Sequence, residues 1–159
     1  MKVLAIDPGY GRCGVAVVEK KGGGKETLLY SSCIETSAHD QFADRLSQVA
    51  RECARLIQEY APDCLGMEKL YFQNNQKTAM RVAEVRGALI NVAQGAGIGV
   101  FEYTPGEVKS ASAGSGSADK KAVARMLHVL MKIDKKIQHD DEYDAIAIGV
   151  THLSRVRGI

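Results

Sequence analysis

No stretch of this 159-residue chain is apolar for long enough to cross a bilayer, which takes about 20 such residues. The N-terminus lacks the basic head, apolar run and small-residue cleavage site of an export signal, so the expected compartment is the cytoplasm. Cysteine is sparse and scattered. Cys13, Cys33, Cys53 and Cys64 contain no C-x-x-C pair, which argues against a zinc site or a disulfide framework. A large charge imbalance is missing too: the net charge is +2, so nucleic acid is not advertised by bulk charge. Any nucleic-acid contact then requires positive charge gathered on one face, away from the acids. Internal repeats and long linkers are absent. What remains is an ordinary globular composition, 45% apolar and 25% charged, sized for one domain over residues 1–159 with a proper core.

Three strands open the chain. "LAI" leads into Asp7, "CGVAVV" follows the Pro8–Gly9 turn, and "TLLYSSCIET" follows the Gly-rich turn "KKGGGK". Tight connections make them an antiparallel meander. From Asp40 to Tyr60 the apolar residues Phe42, Leu46, Val49, Cys53, Leu56 and Ile57 recur at helical spacing, and Pro62 ends that helix. "DCLGMEKL" reads as a short buried strand with the acid Glu68 near its end. "YFQNNQ" is a loop, and an Ala-rich helix runs from about Thr78 to Gln94. "IGVFEY" is the fifth strand and "TPGEVK" a short helical turn. "SASAGSGSA" reads as a mobile loop, Asp119–Met131 as a helix with Asp119 near its N-cap, and "DDEYDAIAIGVTHL" as the last helix. The order predicts an α/β fold with a five-stranded mixed sheet and helices on its faces. The first and fourth strands are expected to be parallel neighbours joined by a helical crossover.

That topology puts Asp7 and Glu68 at one edge of the sheet, where ligand sites gather at the carboxyl ends of strands. Two bare carboxylates a few ångströms apart repel by roughly 4 kcal/mol at an effective dielectric near 20, so a cation is expected between them. Asp141 and Asp144 lie three apart and share a face at the start of a helix that is otherwise small and apolar. If that end abuts the sheet edge, four carboxylates converge. Hard oxygen donors suit magnesium, with manganese as a substitute. Two such ions activate a water and stabilise the leaving oxygen of a phosphodiester. The plainer readings stand beside this one. Asp-Pro-Gly by itself is usually a turn, Glu68 is equally readable as an exposed strand end, and acids in a first helical turn suit its dipole. The joint occurrence at three matching element ends favours a site. His139 is close enough in sequence to be a further candidate.

Tyr71 and Phe72 are adjacent aromatics just past Glu68; an exposed Tyr71 can stack on a splayed base, worth ~1–3 kcal/mol per base. Lys77, Arg81 and Arg86 form a candidate basic flank on the second helix, although most such residues are solvated faces. Lys109 and Lys120 flank the Ser/Gly loop, where main-chain N–H groups can approach a phosphate backbone.

These residues together resemble the RuvC-type Holliday-junction resolvases, which have the RNase H-like fold. The resemblance runs nearly end to end. It is carried by "IDPG....CG" from Ile6, "PDCLGMEKLYF" from Pro62, "N..TA" from Asn75, "RG" at Arg86, "VFEYTPGEVK" from Val100, "G.GSADK" from Gly114 and "D..DAIAIGVTH" from Asp141. It implies a magnesium-dependent endonuclease acting as a homodimer on four-way DNA junctions, with two ions per subunit, each subunit nicking one of two like strands to leave a 5′-phosphate and a 3′-hydroxyl. The family's four acids fall on Asp7, Glu68, Asp141 and Asp144, its stacking aromatic on Tyr71, and its DNA-contacting lysines on Lys109 and Lys120. Asn75 and Arg86 also match motif positions. A branch-migration motor complex is a candidate further partner. The chain departs from the family pattern at Glu84 and Ala122, where relatives usually carry glutamine, and in its all-small Ser/Ala/Gly loop.

The expected function is therefore structure-selective cleavage of four-way junctions in DNA recombination and repair. The second helix offers a small-residue stripe (Ala79, Ala83, Gly87, Ala88) for the dimer interface. The rivals are another RNase H-like nuclease acting on RNA, half of an actin-like kinase, and a non-catalytic junction-binding module. The kinase needs a second lobe that 159 residues do not hold, and a mere module has no use for converging acids.

Overall fold

Alternation along the first strand determines the layering. Val3 and Ala5 point to one face and Leu4 and Ile6 to the other, and all four are fully buried, so helices must cover both sides. The computed structural model describes residues 1–70 and 76–156 and places this strand, β1 (Lys2–Asp7), at the centre of a five-stranded sheet. β2 (Arg12–Lys20) and β3 (Glu26–Glu35) form the antiparallel meander on one side. β4 (Cys64–Glu68) and β5 (Gly99–Tyr103) add in parallel on the other, giving the order β3-β2-β1-β4-β5. The expected mixed sheet and the parallel pairing of the first and fourth strands are both present.

Helices α1 (Phe42–Tyr60) and α2 (Gln76–Gly95) cover one face, burying Val49, Cys53 and Leu56 with Val85 and Leu89 against Leu4, Ile6, Leu65 and Met67. The stop of α1 comes one residue before Pro62: Ala61 adopts the left-handed conformation at φ 45° and its N–H returns to the Ile57 carbonyl. Helix α5 (Asp140–Arg155) covers the other face, lying across β1 and β2. It comes close because Gly149 has no side chain; a Cβ there would stand 2.7 Å from a methyl of Val18. Helices α3 (Pro105–Ala113) and α4 (Lys120–Leu130) pack beside α5, contributing Val108, Val123 and Leu127 to its core.

One expectation needs correction. The Ser/Ala/Gly segment is helical as far as Ala113, and only residues 114–119 link α3 to α4. Composition alone suggested a loop, because Ser and Gly favour turns. The helix is instead begun by a capping box between Thr104 and Glu107, with Pro105 in the first turn. Ser112, 1% exposed, satisfies its hydroxyl by donating to the Val108 carbonyl 2.6 Å away. Gly114 then closes the helix at φ 74°. Asp119 caps α4 as expected, accepting from the Ala122 N–H at 2.7 Å. Among the described residues, no helix is long and apolar enough to cross a membrane.

Candidate active site

The register places the first two acids. Ile6 of β1 pairs with Met67 of β4, so Asp7 and Glu68 are the next residues of two adjacent parallel strands at their carboxyl ends. Helix α5 enters the same rim with its N-terminus. Its first turn fits there because β2 has no side chain at Gly14, where a Cβ would stand 1.7 Å from the Asp141 carbonyl oxygen. One turn on, Asp144 faces the strand ends.

The result is a cleft of about 240 Å³ whose charged lining is Asp7, Glu68, Asp144, Lys109 and Lys120, set among Pro105, Val108, Val123 and Ala147. Lys109 comes from α3 and Lys120 from the first residue of α4, so both predicted lysines meet the acids. Lys120 Nζ lies 3.1 Å from Asp144 Oδ2 and 3.7 Å from Asp140 Oδ2. A larger opening of about 460 Å³ between β3 and the end of α4 contains none of these acids.

Electrostatics mark Asp7 as the centre. Burial, then the charges of Asp144, Glu68 and Asp141, push its carboxyl up to about 8. Burial also raises Glu68, with Asp144 adding to the effect while Lys109, Lys120 and Arg86 oppose it. Asp144 is raised by burial, against the pull of its hydrogen bond from Lys120. Three carboxylates in one cleft thus resist ionisation, the condition that a divalent cation relieves.

Asp141 stands at the flank. Its carboxylate faces Arg12, with Nε 3.3 Å from Oδ2, and that buried oxygen has no hydrogen bond. Among the described residues, no three acid, cysteine or histidine side chains close around one point as a finished metal cage. Two of the acids are ion-paired instead: Asp141 with Arg12 and Asp144 with Lys120. The donor set in the cleft, the carboxylate oxygens of Asp7, Glu68 and Asp144, is of the kind that suits a hard divalent ion.

The remaining predicted residues divide. Arg81 is on the exposed side of α2, paired with Glu84 at 3.0 Å and stacked over Phe42 with its guanidinium carbon 4.0 Å from the ring centroid. Glu84 therefore neutralises that part of the expected basic flank. Arg86 is turned inward and 8% exposed, donating to the Glu68 carbonyl and to Glu102. Tyr71 and Asn75 lie outside the described residues. His139 sits at the N-cap of α5, 3.2 Å from Arg12 and paired with Glu35.

Sequence reading missed the residues that hold the α5 end in place. Glu142, 5% exposed, accepts from Ser31 Oγ at 2.6 Å and pairs with Lys135 Nζ at 2.6 Å. Lys135 also donates to the Ser31 carbonyl at 2.7 Å. No local signal separates Glu142 from the three aspartates around it, since only the docked helix shows which acid points into the protein. Arg12 was equally silent, being one basic residue after a turn.

Comparisons with known proteins bear on the family and the fold. Residues 3–152 match the family described as Crossover junction endodeoxyribonuclease RuvC. A curated relative of that name from Petrotoga mobilis is 40% identical over 96% of this chain and 93% of its own length. Another from Brevibacillus brevis is 39% identical over 96% and 91%. Among solved structures, Thermus thermophilus RuvC in complex with Holliday junction substrate superposes with a TM-score of 0.92 at 30% identity, over 99% of this chain and 95% of that one. The yeast mitochondrial Holliday junction resolvase, at 14% identity and a TM-score of 0.69, shares the fold. With two thirds of the chain far exceeded in every one of the sequence matches, this protein belongs to the RuvC family of crossover junction endodeoxyribonucleases.

Proposed function

We propose that this chain resolves four-way DNA junctions by paired nicks, in recombination and repair, with divalent ions held by Asp7, Glu68, Asp144 and Asp141. The observation that carries the site assignment is the meeting of Asp7, Glu68 and Asp144 at one rim, with Asp7 so crowded by burial and acid neighbours that its carboxyl is pushed up to about 8. Magnesium, two ions per site in this reading and replaceable by manganese, supplies an activated water and charge stabilisation at the phosphodiester. The chain's own contribution is positioning. β1 and β4 fix two carboxylates on rigid strand ends, α5 brings the others, and the apolar wall of Val108, Val123 and Ala147 limits water around them.

Lys109 and Lys120 are suited to the phosphate backbone that enters beside the acids, and the family's stacking aromatic falls on Tyr71. We read residues 1–159 as one nuclease domain acting in the cytoplasm as a homodimer, so that two sites face two like strands. The accessible side of α2 around Gly87 is the proposed interface, since a side chain there would meet nothing within 4 Å; Ala79 of the same stripe is buried within the chain. A motor complex that drives branch migration is the proposed further partner.

One gel tests the reading. The protein is incubated with a labelled four-way junction, a linear duplex and an RNA–DNA hybrid, each with and without magnesium. Symmetric nicks in the junction alone, lost in Asp7→Asn and Glu68→Gln while junction binding persists, are the expected result. Cutting of the hybrid in preference to the junction identifies an RNA-processing enzyme instead. Full magnesium-dependent nicking by Asp7→Asn removes the proposed site.

A further inference from the structure

Behind β4, outside the cleft, one buried cation touches the backbone of a proposed metal ligand. Arg86 sits on the α2 face that carries Val85, Leu89 and Ala93 into the core, and only 8% of it is exposed. A buried guanidinium is costly unless its donors are satisfied. Here Nη1 donates to the main-chain carbonyl of Glu68 and Nη2 to the carboxylate of Glu102 on β5. One side chain thereby ties α2, the last residue of β4 and β5 together.

The point of attachment matters. The Glu68 carbonyl belongs to the final peptide of β4, where the strand ladder runs out: Glu68 pairs with Tyr103, and the Lys69 N–H donates to the Tyr103 carbonyl at 2.7 Å. Holding that carbonyl from the α2 side fixes the plane of the peptide that follows Glu68 and, through it, the direction of the Glu68 Cα–Cβ bond. Glutamate has three side-chain torsions, so a fixed base narrows what its carboxylate can reach. The positive charge also opposes the upward push on the Glu68 carboxyl.

We propose that Arg86, anchored by Glu102, is a positioning residue that aims Glu68 into the metal site, and not a residue that contacts DNA. The inference rests on the reading of the acids as a metal site. It assigns Glu102 a role as well, since without that carboxylate the guanidinium loses its second anchor. Partners of metal ligands of this kind change metal affinity or activity by about 10–100-fold when removed.

The test compares Arg86→Met, Arg86→Lys and Glu102→Gln with Leu89→Ala, a core variant on the same helix. Manganese affinity is measured by calorimetry on the DNA-free protein, junction affinity in EDTA across a salt series, and cleavage on the junction. Arg86→Met is expected to bind manganese about 10–100-fold more weakly, to cut correspondingly slower and to keep the wild-type junction affinity and salt slope. Glu102→Gln should lose less in the same direction, and Arg86→Lys should recover part. Leu89→Ala should lose thermal stability and keep its manganese affinity. Unchanged manganese binding with a salt slope smaller by about one unit makes Arg86 a phosphate contact and overturns the proposal. An equal loss in Leu89→Ala overturns it in favour of packing. If Arg86→Met does not fold, Arg86→Lys and Glu102→Gln decide by the same readouts. A wild-type protein inert toward both manganese and the junction defeats the functional reading itself; an active wild type with unaltered variants defeats only the role of Arg86.

Discussion

Lys120 Nζ sits 3.1 Å from Asp144 Oδ2, so the first residue of one helix places an ammonium on a candidate metal ligand of another. The same cation lies in the cleft that holds Asp7 and Glu68. In the proposed site a metal ion would displace Lys120 from Asp144, and a phosphate would draw Lys120 away from the carboxylate. Lys120→Ala is expected to weaken junction binding, to lower the salt slope by about one unit and to slow cleavage. Filter binding across a salt series checks this; an unchanged slope shows that Lys120 does not touch phosphate.

The raised carboxyl of Asp7 makes a prediction about pH. Its ordinary value is 3.8 and its value in the fold about 8, so between those limits the folded state holds a proton that the unfolded chain has released. Stability of the metal-free protein must then fall as pH rises through this window, with Glu68 and Asp144 shifted in the same direction. Thermal unfolding in EDTA at pH 5.5 and 7.5 is expected to give the higher midpoint at the lower pH. Asp7→Asn should raise the midpoint at pH 7.5, by roughly 2–4 °C for each ~1 kcal/mol relieved at this size. Magnesium should stabilise the wild type at pH 7.5 and leave Asp7→Asn less affected.

Gly14 is needed where α5 meets β2. Gly14→Ala puts a methyl into the Asp141 carbonyl, 1.7 Å from the new Cβ, and the acidic helix end must retreat. We expect a loss of about 1–3 kcal/mol, typical of an overpacked site, and a marked drop in cleavage. Gly23→Ala, in the β2–β3 turn with nothing within 4 Å, should stay within about 0.5 kcal/mol of wild type. Denaturant midpoints and single-turnover cleavage rates test both.

Glu142 anchors the same helix end from beneath. Glu142→Ala strands the buried Ser31 hydroxyl and releases Lys135, at a cost of about 1–3 kcal/mol. Cleavage should fall because Asp141 and Asp144 flank the lost anchor. An active variant of unchanged stability would show that the helix end is held by packing alone.

The residue pattern by itself determined the fold class and singled out the acids of the proposed site. Strand alternation, the Pro62 stop and the helical period of α1 are local signals, and a resemblance spread over the whole chain pointed to Asp7, Glu68, Asp141 and Asp144 as the proposed acids. Local signals failed at the first half of "SASAGSGSA", as far as Ala113, because the tendency of Ser to form turns gave way to a capping box and to packing on α5. They failed again at Arg86, which looks like any basic residue on a helix until the sheet edge beneath it is in place. Only the tertiary structure decided which charges face one another: Arg12 with Asp141, Lys120 with Asp144, Lys135 with Glu142. The physical reason is range. Turn, cap and periodicity signals act within a few residues, whereas these pairs join positions far apart in the chain, and their energies depend on burial and distance that exist only after the sheet and its helices have met.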